Sequence, residues 1–206
     1  MKNLLTLICF TCFIVFNYAQ NDLKEISADY NKRSPIYDYS ENHLNNTDTI
    51  PGFETKTNKL KISGTIFESD GVTPAKNVIL FIEQADDNGD YNIKTKDDKR
   101  YMHHRGWVKT NADGQYTFYT FVPGAAIDPI TFPRRKGLKK IYPIIKESGK
   151  SEYNLDALLF DNDRLLTKTC RKRLKRKGID SILKPEKQGD MLLVTRNIVL
   201  STSSSL

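Results

Sequence analysis

The sequence predicts an all-β protein, an antiparallel β-sandwich with one short basic helix near its C-terminus. Apolar residues recur at a period of two or in short runs, and only Leu165–Lys177 carries helical spacing together with a basic face. Turn signals such as Asp70-Gly71, Asn88-Gly89 and Asp113-Gly114 punctuate the chain at the close intervals of a sandwich. The 206 residues suffice for one domain with a sizeable core, and neither repeats nor low-complexity tracts interrupt them.

Residues 1–19 have the layout of a secretory signal peptide. Lys2 supplies the positive start, Leu4 to Phe16 the apolar run, and Ala19 a small residue before the expected cut. The run is too short for a comfortable bilayer span. Cleavage would place the protein outside the cytoplasm, either secreted or in the periplasm or cell envelope. It would also remove Cys9 and Cys12, leaving Cys170 alone, so an internal disulfide is excluded and the core must hold the domain.

Residues 20–59 read as a polar leader, broken by Ser34-Pro35, Asn45-Asn46-Thr47 and Pro51-Gly52, that packs across the domain or stays partly loose. The domain itself is expected over 60–206. Leu60, Ile62 and Ile66 alternate with polar neighbours as a strand does, and Val78 to Ile82 is an apolar run suited to a strand buried on both faces. Trp107 to Thr110 and Tyr116 to Phe121, joined through Asp113-Gly114, read as the clearest hairpin, with Trp107 largely buried and the turn exposed. Lys140 to Ile145 reads as a strand after a Pro-rich crossing, and Asp156 to Phe160 as a turn or short helix. A basic amphipathic helix over Leu165–Lys177 ends at Gly178, and Met191–Val194 and Asn197–Leu200 give two late strands.

The net charge of +7 is local. Lys168, Arg171, Lys172, Arg173, Lys175, Arg176 and Lys177 crowd together with no interleaved aromatic, which disfavours nucleic acid and suits a solvated face or contact with an anionic envelope surface. Phosphate loops, paired metal-spacing cysteines and Gly-x-Ser-x-Gly elbows are absent from the sequence. Asp86, Asp87 and Asp90, like Asp161 and Asp163, lack the full calcium-loop pattern and read as solvated turn acids.

Several segments, in order and spacing, resemble the intradiol ring-cleavage dioxygenases. They are Lys61 to Ile66, Asp70 to Val78, Gly106 to Thr110, Asp113 to Thr120, Pro143-Ile144-Ile145-Lys146-Glu147 and Asp156 to Asp163, within about Thr49 to Leu200. The resemblance implies a sandwich of the intradiol dioxygenase core type. It also implies a ferric iron held by two tyrosines and two histidines, on which an aromatic diol is opened by dioxygen. Phenolate is a hard anionic donor that stabilises ferric iron, and imidazole completes the shell.

This chain departs from that ligand set. Tyr91 matches the first tyrosine position, but Ala126 stands at the second, Lys140 at the first histidine and Tyr142 at the second. Gly137 fills the slot of an arginine, and Arg134 and Arg135 lie near it in sequence. Tyr91 and Tyr142 are the remaining candidate metal ligands. At most one of His103 and His104 can face the site, because adjacent strand residues point to opposite faces; His43 lies in the leader. The expectation is a degenerate site without catalytic iron, in a binding or structural module, with Lys140 paired to a tyrosine hydroxyl where the metal would sit. The alternatives are a working ferric dioxygenase with a remodelled ligand set and a different activity in the same cleft, so whether the protein is an enzyme stays open at this point.

Overall fold

The computed structural model describes residues 29–40, 43–127 and 132–201. The expected signal peptide lies outside them. The described strands are β1 (Thr47–Thr49), β2 (Lys59–Phe67), β3 (Ile79–Gln84), β4 (Ile93–Lys96), β5 (Lys99–Met102), β6 (Arg105–Lys109) and β7 (Gln115–Phe121). They continue with β8 (Lys140–Lys146), β9 (Tyr153–Asn154), β10 (Leu158–Phe160), β11 (Ile182–Leu183), β12 (Glu186–Gln188), β13 (Met191–Thr195) and β14 (Ile198–Val199). One helix, α1 (Lys168–Arg176), lies between β10 and β11.

Two sheets face each other. One runs β1-β7-β2-β13-β12 with β14 also on β2, and the other runs β11-β10-β8-β3-β6 with β9 on β8. The alternation in β2 places Leu60, Ile62 and Ile66 inward, where they meet Tyr116, Phe118 and Phe121 of β7 and Leu80, Ile82, Val108, Ile141 and Ile145 of the opposite sheet. Burial of these side chains is the main favourable term in the fold. The long central pairs, β2 with β7 and β3 with β6 and β8, are antiparallel, whereas β1 with β7, β13 and β14 with β2, and β10 with β11 are parallel.

The Val78–Ile82 run is largely buried, as expected, with Ile79 half-buried on the outer face, against which the leader packs. Ile36 is fully buried in a single 3-10 turn, Pro35–Tyr37. Just beyond it, the Asp38 carboxylate is 3% exposed and binds Lys99 at 2.8 Å, Arg105 at 3.1 Å and Arg33 at 3.6 Å. Further along, Ile50 joins the core, and Asp48 accepts the Trp107 backbone N–H at 2.8 Å.

Several expectations about the elements need correction. The Trp107–Phe121 segment is not a hairpin, since β6 and β7 belong to different sheets. Thr110 ties the end of β6 to the β3 side, accepting from Val78 N–H and donating to the Ala75 carbonyl. Asn111 then turns the chain through bonds from Asp113 and Gln115 N–H, and Gly114 at φ +68° hands its carbonyl to Ile66 N–H of β2. Gly114 is consequently buried, and only Asp113 of that pair is exposed.

Trp107 is half-buried rather than largely buried. It stands on the outer face with its ring 5.2 Å from Phe81 and its Nε1–H donating to the Pro35 carbonyl. Asp156 to Phe160 forms neither turn nor helix; its last three residues are β10, all buried between β8 and β11. The helix is shorter than the periodic run, beginning at Lys168 behind the Thr167 cap and stopping before Gly178, whose φ is +68°. The β4–β5 hairpin, turning through Asp97 and Asp98 at positive φ, carried no recognisable turn glycine in the sequence.

Candidate functional site

Two loops and one strand build a cleft over the start of β8, a central strand of the second sheet. In the first loop Asp86 is only 8% exposed, and its Oδ1 accepts the backbone N–H groups of Asn88, Gly89 and Asp90, each at 2.9 Å. Its Oδ2 takes the Asn92 side chain at 3.0 Å. Asp86 is therefore not the solvated acid expected from the sequence; every bond it accepts comes from an N–H, so it serves the turn rather than a cation. This turn aims Tyr91.

The second loop, Val122 to Ala126, presses backbone to backbone on the first. Gly124 N–H donates to the Asp86 carbonyl at 2.7 Å, and a Cβ on Gly124 would lie 2.3 Å from Gly89 N. A side chain at Gly89, where φ is +99°, would meet the Ala125 carbonyl at 2.3 Å. Both glycines are thus needed for the close approach that brings Tyr91 and Ala126 to one wall.

The strand contribution comes from β8. Lys140 and Tyr142 are two residues apart, so the pleat points both to the same face. Tyr91, Ala126, Lys140 and Tyr142 all line one cleft of about 260 Å³, with Ala85 and Leu138 completing apolar walls. All four sequence-derived positions converge. Among the described residues lining it, Lys140 is the charged one.

The hydroxyls of Tyr91 and Tyr142 approach to 3.5 Å. Burial pushes the Tyr142 phenol well above the ordinary tyrosine range, assisted by its bond to Tyr91 and by the nearby charges of Tyr91 and Glu83. Glu83 lies opposite Tyr142 in the strand pair, and burial raises its carboxyl while the Arg105 charge opposes that rise. Arg105 stacks on Tyr101 at 3.9 Å and ends at Asp38. The expected contact between Lys140 and a tyrosine hydroxyl gives way to the tyrosine–tyrosine pair.

Neither histidine of the adjacent pair lines the cleft. His104 is 4% exposed, donates through Nδ1 to the Pro51 carbonyl at 2.8 Å, and accepts at Nε2 from Asn92 at 3.4 Å. Both ring nitrogens are spent on the protein. His103 is half-buried, and desolvation, then the charges of His104 and Lys94, lowers its pKa. His43 is exposed in the leader. Gly137 lines the cleft and donates its N–H to the Ala126 carbonyl at 2.8 Å, while Arg134 and Arg135 are exposed outside its lining.

Glu83 and Arg105 escaped the sequence reading. The parity of β3 could have found Glu83, because inward Leu80 and Ile82 put it on the outer face with Tyr142.

No family model matches the sequence, and no curated protein matches it. Solved structures do. The chain is similar to the dioxygenase domain of a dioxygenase–carbohydrate-binding protein fusion from Streptomyces sp. SirexAA-E, at 21% identity and TM-score 0.55, covering 78% of this chain and 89% of that one. Catechol 1,2-dioxygenase from Pseudomonas arvilla C-1 aligns at 16% identity and TM-score 0.60, over 79% of this chain and 58% of that one. Hydroxyquinol 1,2-dioxygenase from Pseudomonas putida DLL-E4 aligns at 15% identity and TM-score 0.52, covering 78% and 62%. The chain has the intradiol dioxygenase fold. It spans less than two thirds of the length of these last two enzymes.

Proposed function

We propose that this protein is an exported, intradiol dioxygenase-like module whose iron site has degenerated, so that the cleft serves binding or structure rather than ring cleavage. The observation that carries the reading is the convergence of Tyr91, Ala126, Lys140 and Tyr142 on one cleft. Resemblance makes these the four ligand positions, and three of them hold a different residue type from the one the family uses.

The donor chemistry does not fit ferric iron. Ala126 offers no donor atom, and Lys140 offers a cation. Two unit charges about 4 Å apart interact by about 4 kcal/mol at an effective dielectric of about 20, and between Lys140 and a metal that energy is repulsive.

A second reading has one specific support. Tyr91 and Tyr142 present two phenol oxygens 3.5 Å apart, and two phenolates are hard donors for a ferric ion in an active dioxygenase with a remodelled ligand set. Restoration separates the two readings. The combined variant Ala126→Tyr, Lys140→His, Tyr142→His should bind ferric iron at least about tenfold more tightly than the parent, by competition with a chelator. Equal iron affinity in parent and variant would remove the basis for the degenerate-site reading.

A further inference from the structure

We infer that α1 is a docking face for an anionic phospholipid surface, held there by electrostatics alone and independently of what the cleft binds. Residues 161–184 contain nine Lys and Arg against three Asp, a net of +6 out of the +7 of the whole chain. Only Asp163 is withdrawn from solvent; Asp161 and Asp180 keep exposed carboxylates, each neutralised by an arginine. Asp161 pairs with Arg171. Asp163 is 8% exposed and accepts the backbone N–H groups of Lys139 and Leu165. Asp180 pairs with Arg196 at 2.6 Å.

Arg171 is the one α1 cation turned to structural use, since it also donates to the Leu166 and Asp161 carbonyls. No residue of α1 is buried. Lys168, Lys172, Arg173, Lys175 and Arg176 are exposed. At helical spacing Lys168, Lys172, Lys175 and Arg176 fall within an arc of about 100° along about 12 Å of axis. Exposed Arg164 and Lys184 extend the same charge at either side in sequence.

The helix is also firmly fixed. Thr167 Oγ1 caps its start, Ile179 N–H returns to the Leu174 carbonyl past its end, and the basic last turn sits where the helix dipole favours cations.

The shape selects the partner. Charges fanned over a convex cylinder match a plane of phosphates better than a single enclosed anion. Residues 161–184 contain no aromatic to stack on a base, which disfavours single-stranded nucleic acid. Leu174 and Ile179, both half-buried, leave no broad apolar stripe for insertion. Binding of this type relies on juxtaposed lysines and arginines and is screened by salt.

The test is co-sedimentation of the full protein with vesicles. Vesicles rich in phosphatidylglycerol should retain it at low salt, pure phosphatidylcholine should not, and several hundred millimolar salt should release it. Lys172→Glu, Lys175→Glu and Arg176→Glu together should weaken partitioning about tenfold or more with an unchanged circular dichroism spectrum, whereas Lys76→Glu, an exposed lysine between β2 and β3, should not. Equal retention on neutral vesicles, an undiminished triple variant, or binding to dextran sulfate but not to anionic vesicles would each overturn the proposal.

Discussion

Glu83 shares its sheet face with Tyr142 on one side and Arg105 on the other, and this placement gives it a defined pH signature. Burial lifts its carboxyl above the ordinary range, and Arg105 offsets part of the rise. A carboxyl whose folded pKa exceeds its unfolded value costs stability at neutral pH, and that cost disappears as pH falls through the folded value. Glu83→Gln should therefore be at least as stable as the parent at neutral pH, with the difference closing in mild acid. Urea unfolding at the two pH values checks this, and a clearly more stable parent at neutral pH would contradict it. At this scale the sequence was informative about which residues meet, because Lys140 and Tyr142 share a strand parity and Tyr91 follows a recognisable Asn-Gly turn. It was silent on how they meet. The tyrosine–tyrosine contact and the two-glycine clamp depend on how closely separate loops approach, which spacing along one chain does not encode.

Among the elements, the leader is the least legible from pattern, and its described part is fastened to the fold by buried contacts. Its polar composition leaves open whether it packs across the domain or stays partly loose. In the fold Asp38 gathers Lys99, Arg105 and Arg33 into a cluster nearly closed to solvent. Removing one partner of such a group leaves the others as uncompensated buried charges, at about 3–5 kcal/mol. Asp38→Ala should lose stability of that order by urea unfolding; a loss below about 1 kcal/mol would mean that the cluster is well solvated. The misread hairpin has a related cause. Asp113-Gly114 announces a tight reversal, but whether the two strands then pair depends on which edges are already taken. Here β3 holds β6 and β2 holds β7, so the reversal carries the chain between sheets. β10 was missed for want of length: three residues show no period, and their burial follows from neighbours on β8 and β11.

On the scale of the whole molecule, short alternating strands and their turns made the sandwich legible, and an ordered set of motifs gave its family resemblance. Among the described residues no helix is long and apolar enough to cross a membrane. Export rests on Lys2, the Leu4 to Phe16 run and Ala19. Mass spectrometry of the protein from its native host should find an N-terminus near Gln20 in the envelope or medium, and an intact Met1-starting chain confined to the cytoplasm would refute export. The central claim, that the fold persists while its metal chemistry does not, is most directly tested by iron content together with visible absorption of the purified protein. Ferric tyrosinate is strongly coloured, so the account predicts a colourless protein with far less than one iron per chain, even after incubation with ferric salt. A stoichiometric, coloured iron centre that consumes oxygen with catechol would contradict it.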